Sequence, residues 1–300
     1  MHSSSDISAL PDVRARLLEG SVVAAQILAS LREEVAVMAT RGVLPGLGTI
    51  LVGDDPASAT YIGAKHRACH EAGIASIHVH LPGNTTRHEL LLTIGRFNAD
   101  PTIDAYLIQL PLPKHLDEEE ALLAVNPMKD ADGLHPVNLG KLVMGAAGPV
   151  PCTPAGIQDL LIHYGVPIEG RHVVVVGRGL TIGRPLALLL ALKRPNCNAA
   201  VTVVHTGVPD LGAYTRQADI LVAAAGAPGL ITADMVRPGA AVVGGGISRR
   251  GKRLLSDVDE GVASVAGWVT PRVGGVGPMT VAMLLKNTVL AARRRASAAG

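Results

Sequence analysis

The chain has 300 residues, 48% of them hydrophobic and 17% charged, with a formal net charge of +2. That is enough apolar chain for two domains, each with a core of its own. The near-neutral balance argues against a nucleic-acid-binding surface, and the one basic run, Arg293, Arg294 and Arg295, has the look of a solvated helix end. Cys69, Cys152 and Cys197 are odd in number and have no metal-ligand spacing, which predicts reduced thiols, no bound metal and a cytoplasmic location. The N-terminal MHSSSDISALPDVRARLL lacks a long apolar core, and no later apolar stretch is long enough to span a bilayer, so no membrane partner is expected.

Apolar residues at helical spacing in SVVAAQILASLREEVAVM predict a first helix, and the short run GLGTILVGD predicts a strand. Asp55 followed by Pro56 predicts an N-cap with proline at the first helical position, opening a helix through ASATYIGAKHRACHEAG that Gly73 ends. ASIHVHL is the next strand, Thr86 and Glu89 predict a capping box for the helix after it, and IDAYLIQLPLP is a strand stopped by its prolines.

From Lys129 to Pro154 the chain is rich in glycine and proline and has no sustained periodicity, which predicts a domain boundary near Pro149. A helix from Thr153, with Pro154 at its first position, leads to four predicted strands, RHVVVVG, AAVTVVH, DILVAAAG and AAVVGGG, with short helices between them. Buried apolar strands alternating with helices predict a doubly wound parallel sheet of Rossmann type. A last helix, from about Pro278 to Arg295, is expected to pack back on the first half. The expected architecture is therefore two-domain α/β, with residues 1–149 and 279–300 forming an α/β/α domain, residues 150–278 the Rossmann-type domain, and a cleft between them.

The segment VVVVGRGLTIGRP places glycines at 177, 179 and 183, the third one residue later than in the dinucleotide fingerprint. The physical requirement is exposed backbone amides at a helix N-terminus after the first strand, and the longer loop retains it. The next strand ends in His205, Thr206 and Gly207, with no acid to hold ribose hydroxyls or to repel a 2′-phosphate. Arg178 can pair with that phosphate, and His205 and Thr206 can donate to it, so the expected cofactor is NADP rather than NAD.

In the first half, Tyr61 and Lys65 are four residues apart on a predicted helix and share a face, which suggests a pocket for a planar polar ligand. Gln109 interrupts an apolar strand end, and Asp132 sits in KDADG; both are expected at the carboxyl edge of the first sheet. His66 and His70 share a helical face beside Cys69, but Arg67 stands where a zincin helix needs glutamate, so no metal is expected there. His78 and His80 alternate in a strand and are expected to face solvent or an interface.

The segments VGDDPASATYIGAKHRACHEAGI, IQLPLPKH, KDADGLHP, PCTPAGI, GRHVVVVGR and GGVGPMTVAMLL, in this order, resemble motifs of the bifunctional methylenetetrahydrofolate dehydrogenase/methenyltetrahydrofolate cyclohydrolase family. The resemblance runs from about Leu18 to Thr288. It implies that NADP oxidises 5,10-methylenetetrahydrofolate to the 5,10-methenyl compound, which is then hydrolysed to 10-formyltetrahydrofolate, and that the chain is a homodimer. It further implies that Lys65 is the catalytic lysine, Gln109 its contact, Tyr61 the ring that stacks on the folate, and Asp132 the acid at the pterin end. Ile108, Leu110 and the segment Val273, Gly274, Gly275, Val276 and Gly277 would complete the folate site. Gly177, Arg178, Gly179, Gly183, His205, Thr206 and Ile247 would hold the cofactor.

Hydride removal from a carbon held between two nitrogens leaves a stabilised cation and needs geometry rather than a base. Adding water to that carbon and opening a C–N bond needs proton transfers; Lys65 is the candidate, because a partly desolvated pocket favours a neutral amine that can act as a base. The sequence departs from the family at Gly179, where serine is usual, at Gly207, where a basic residue often follows, at Gly244, where aspartate is usual, and at Val273, where proline is common. These departures leave two alternatives open: a cyclohydrolase with weak or lost dehydrogenase activity, and a non-catalytic folate- or nucleotide-binding paralogue.

Overall fold

The computed structural model describes residues 15–250 and 253–299. In chain order the elements are β1 (Arg16–Leu17), α1 (Gly20–Ala39), β2 (Gly46–Val52), α2 (Pro56–Ala72), β3 (Ala75–Leu81), α3 (Arg87–Ala99), β4 (Ala105–Ile108), α4 (Glu118–Ala124), α5 (Pro136–Val143) and α6 (Cys152–His163). There follow β5 (His172–Val176), α7 (Gly183–Ala191), β6 (Ala200–Val204), α8 (Leu211–Thr215), β7 (Ile220–Ala223), β8 (Ala241–Gly244), β9 (Ile247–Arg250), β10 (Arg253–Ser256), β11 (Trp268–Val269) and α9 (Val276–Ala299).

The first sheet is parallel, in the order β3-β2-β4, and Ile50 of β2 pairs with both Val79 and Ile108. Central β2 is buried at all seven positions, as expected of a strand covered on both faces, whereas edge strand β3 alternates between half-buried and exposed residues. His78 and His80 fall on its exposed positions. The helix ends follow the local chemistry. Asp55 caps α2 by accepting from the Ser58 amide, Gly73 ends that helix in the left-handed conformation, and Thr86 and Glu89 close a capping box on α3.

The second sheet is also parallel, in the order β1-β11-β8-β7-β5-β6. β6 and β7 flank β5 on opposite sides, so the chain reverses its winding at β5 and opens a crevice at that strand's carboxyl end. β9 and β10 form an antiparallel hairpin beyond β8.

Helix α9 joins the two halves. One side packs on α1, α2, β2 and β4 and the other on α6, where Gly156 approaches Met279 so closely that a Cβ would lie 2.9 Å from the methionine's own. Leu31, Leu47 and Leu107 of the first half consequently share one apolar cluster with Leu160, Val173 and Leu186 of the second and Met279 and Leu285 of α9. The expectation of two separate cores is corrected in this respect: among the described residues, the clusters outside the shared one are those on the outer faces of the two sheets and a small one of Leu142, Leu189 and Cys197.

Other expectations also need correction. The stretch from Lys129 to Pro154 contains α5, capped by His135 with Pro136 at its first position. Helix α6 begins at Cys152, which moves Pro154 from the first to the third helical residue. Strand β4 ends at Ile108, before Gln109, although the Gln109 amide still donates to Ile50 O at 2.8 Å. Helix α9 starts at Val276 rather than Pro278, because the backbone is already helical within GGVGP, and it runs on to Ala299. The basic run on it is not simply solvated, since Arg293 pairs with Glu34 and Arg295 with Asp104.

Candidate functional site

Two cavities lie beside α2 and the start of α9, the smaller at the carboxyl end of β4 and the larger between α1 and the β9–β10 hairpin. The smaller, of about 200 Å³, is lined by Lys65, Ile108, Gln109, Leu110 and Asp132, bringing five of the sequence candidates together. Lys65 Nζ donates to Gln109 Oε1 at 3.1 Å, and Gln109 Nε2 donates to Leu110 O at 2.8 Å. The amide side chain is thereby held at both ends, and its carbonyl fixes the direction of the amine.

Asp132 is placed by the turn before it. Asp130, buried, accepts from the Gly133 and His135 amides at 3.0 and 2.8 Å and from Asn138 Nδ2 at 2.9 Å. Gly133 has φ of 74°, and a Cβ there would come within 2.7 Å of the Val150–Pro151 backbone, so glycine alone lets the turn close against the linker. Burial raises the Asp132 carboxyl above its ordinary value; Lys65 pulls it down and Asp130 pushes it further up. Burial and the Asp132 charge push the Cys152 thiol, in the same cavity, well above its ordinary value, so it stays a protonated wall rather than a nucleophile.

The larger cavity, of about 450 Å³, is lined by Tyr61, Ile247, Val273, Gly274, Gly275, Val276 and Gly277 together with Gly244, Leu254, Arg272 and Pro278. Tyr61 and Lys65 therefore do not line one pocket, as their shared helical face suggested. One turn apart on α2, they line neighbouring cavities, and the first turns of α9 line both, with Thr280 in the smaller and Val281 in the larger. Residues that sequence reasoning passed over in the smaller cavity are Thr153, Thr181 and Thr280, the first and last joined by a 3.0 Å hydroxyl contact. Their segments PCTP and GGVGPMTV stood out as motifs, but neither assigned the threonines a role.

At the carboxyl end of β5 the chain turns into α7. Gly177 has φ of 128°, and a Cβ there would lie 2.1 Å from Ala224 O; at Gly183 it would lie 2.2 Å from Gly177 O. Both glycines are required by close backbone approach. At Gly179 nothing lies within 4 Å of the position a Cβ would take, so serine fits there and its absence costs only a hydroxyl. The residue before α7 is Ile182, and no side chain caps the helix. The Arg184 amide donates to Gly179 O at 3.2 Å and Pro185 has no N–H, which leaves the Gly183 amide and the positive end of the helix dipole for a dinucleotide phosphate.

Arg178 is exposed, and its carbonyl accepts from Arg184 Nε at 2.9 Å, which shapes the loop. His205 Nδ1 accepts from the Gly207 amide at 3.1 Å; that tautomer places the ring proton on Nε2, a donor for a phosphate oxygen beside exposed Thr206. A Cβ at 207 would lie 3.0 Å from the His205 ring, so glycine there lets the histidine fold back. No acid stands at the end of β6.

Comparisons with known proteins agree with this geometry. Residues 18–132 match the family model described as the tetrahydrofolate dehydrogenase/cyclohydrolase catalytic domain, and residues 151–296 match the NAD(P)-binding domain of the same description. The chain is 60% identical over 286 residues to the bifunctional protein FolD of Syntrophotalea carbinolica, covering 95% of this chain and 99% of that one. Among solved structures it resembles the bifunctional FolD dehydrogenase/cyclohydrolase of Campylobacter jejuni, with a TM-score of 0.90, 43% identity and coverage of 94% and 99% of the two chains. The Trypanosoma brucei FolD structure, complexed with NADP cofactor and an inhibitor, has a TM-score of 0.89, 41% identity and coverage of 94% and 98%.

Proposed function

Because the chain belongs to the tetrahydrofolate dehydrogenase/cyclohydrolase family, we propose that it oxidises 5,10-methylenetetrahydrofolate with NADP and hydrolyses the resulting 5,10-methenyl compound to 10-formyltetrahydrofolate. The observation that carries the reading is the 3.1 Å contact between Lys65 and Gln109 in a cavity that also holds Asp132. The reduced pterin binds with its N–H donors toward Asp132, and Tyr61 supports the aryl ring in the neighbouring cavity. NADP, when bound, accepts the hydride; Gly177, Gly179 and Gly183 admit its phosphates, Arg178, His205 and Thr206 face the 2′-phosphate, and Ile247 borders the nicotinamide end. In the dehydrogenase step the protein supplies position alone, because the carbon losing hydride is stabilised by its two nitrogens.

Hydrolysis asks more of the protein. Water must lose a proton as it adds to the methenyl carbon, and a ring nitrogen must gain one as its C–N bond opens. Lys65 is the group that moves these protons, and Gln109 keeps the amine aimed at the reacting carbon. The alternatives without dehydrogenase activity are not preferred, since a side chain at 179 would stand in open space and its absence leaves the close backbone approaches of Gly177 and Gly183 unchanged. We propose residues 1–149 and 279–300 as the folate-binding part and residues 150–278 as the nucleotide part on the packing of α9 over α1 and the first sheet, with the exception of β1 (Arg16–Leu17), which pairs with β11 in the second sheet; the family model carries the second domain to residue 296. Homodimerisation and a cytoplasmic location belong to the same proposal; the three cysteines, all free and buried, support the second.

The test is a spectrophotometric assay with 5,10-methylenetetrahydrofolate, following NADP reduction and the decay of the methenyl compound above its buffer background. Lys65→Met is expected to lose hydrolysis by at least ~100-fold, the scale of general acid–base catalysis, with folate binding much less affected. Hydrolysis retained in that variant would sink the assignment of Lys65.

A further inference from the structure

The wall of the larger cavity is uncharged with one exception. Tyr61 and Ser21 are its other side chains with polar groups, and among the described residues lining it Arg272 alone carries charge. None of those described residues is a carboxylate. Gly244 offers none, and the Ser256 hydroxyl already lies 2.7 Å from where a Cβ at 244 would stand. The anion that Arg272 does meet is Glu260, at 3.3 Å on the outer side, and the two side chains are 50% and 89% exposed. Such a pair is screened by water and contributes little, so its cation is readily exchanged to another carboxylate.

The proposed substrate presents one. A folate consists of a pterin, an aryl ring and a glutamate tail; with the pterin at Asp132 and Lys65 and the ring beside Tyr61, one helical turn (about 6 Å) along α2, the tail emerges where the larger cavity opens. We propose that Arg272 takes a carboxylate of that tail and so selects for folates that carry it, an inference that rests on the folate reading of the same cleft. The apolar wall strengthens the attraction by displacing water around the pair, and the absence of an acid at 244 leaves the charge uncompensated within the cavity.

The experiment compares 5,10-methylene derivatives of tetrahydropteroate, which has no tail, and of the mono- and triglutamyl folates. The readouts are kcat/KM and, without NADP, calorimetric binding of the matching tetrahydro compounds. In the unaltered protein the tailed compounds are preferred. Arg272→Ala is expected to cut that preference about three- to tenfold, as for a partly exposed charge-assisted contact, while Arg272→Lys keeps most of it. Glu260→Gln, which removes the competing carboxylate, is expected to increase it. An unchanged preference in Arg272→Ala, or a rise only in the KM for NADP, would overturn the inference and leave the folate reading intact. An unaltered protein that binds and turns over none of the three compounds would overturn the folate reading and this inference with it.

Discussion

Asp132 lines the smaller cavity with Lys65, and burial holds its carboxyl in the neutral form to a higher pH than an ordinary aspartate. The sign of the consequence follows from which form binds. The folded pKa lies above the unfolded one, so the folded chain holds this proton more tightly, and the stability Asp132 contributes is present at low pH and lost as pH rises through the folded pKa. Folate binding runs the other way, because the pterin's N–H donors need the carboxylate, and affinity falls as pH drops through the same raised pKa. The KM for methylenetetrahydrofolate is expected to rise on the acid side, at a pH above the ordinary value of an aspartate. Asp132→Asn is expected to flatten that limb and raise KM at neutral pH by roughly tenfold or more, the scale of a hydrogen bond to a charged group. A full acid limb in the Asn variant, measured as KM against pH, would remove Asp132 from the pterin end. Gln109 and Asp132 were legible in the sequence because each breaks a local pattern, an amide at the end of an apolar strand and an acid among small residues, whereas Lys65, followed by His66 and Arg67, stood out by its spacing from Tyr61 and took its role from the family resemblance. Thr153, Thr181 and Thr280 break none, since a threonine near a helix start is ordinary, and only the tertiary approach of α6, the β5–α7 loop and α9 turns them inward.

Element by element, what could be read depended on length and on where the stabilising partner lies. β2 and β5, with buried apolar runs, and α2 and α3, with local caps, were legible because their determinants are contiguous. β1 and β11 have two residues each and exist only by pairing with one another and, for β11, with β8; no periodicity can be written in two residues. α5 was missed although His135 and Pro136 mark its start, because glycines and prolines crowd its flanks. Asn287 on α9 is a further contact that no local pattern encodes. Its Nδ2 reaches Ala131 O at 3.0 Å and Val150 O at 3.1 Å, tying the loop before Asp132 to the linker before α6. Asn287→Leu leaves two inward carbonyls without this donor and is expected to cost about 1–3 kcal/mol of stability. It should also raise the KM for folate more than that for NADP, since the loop it releases carries Asp132 and not the phosphate glycines. Denaturant unfolding together with the two KM values checks this, and an equal rise in both would mean that the helix as a whole had shifted.

At the scale of the molecule, the two sheets hold one cleft because α9 belongs to both of their shared walls. Its N-terminal turns line the two cavities, its middle fills the common core with Met279, Leu285 and Val289, and its far end is fixed by Arg295. Arg295 Nε donates to Asp104 Oδ1 at 2.6 Å, and Asp104 Oδ2 accepts from the Gly46 amide at 2.9 Å, at the start of β2. The Asp104 side chain is wholly buried while that of Arg295 is 43% exposed, so the pair combines a costly buried charge with a partner that water partly screens. Removing the arginine strands the carboxylate, which makes Arg295→Ala expensive despite the position's place near the chain end. The expected loss is about 2 kcal/mol, below the 3–5 kcal/mol of a fully buried pair because of that exposure. Asp104→Asn in the same chain removes the stranded charge, so the double variant should recover part of the loss rather than add to it. Since Arg295 lies at the opposite end of α9 from both cavities, kcat and both KM values are expected to persist at temperatures where the variant stays folded. Thermal unfolding of the single and double variants decides the matter: a strictly additive pair would mean that Asp104 is held by Gly46 alone and that the far end of α9 anchors nothing.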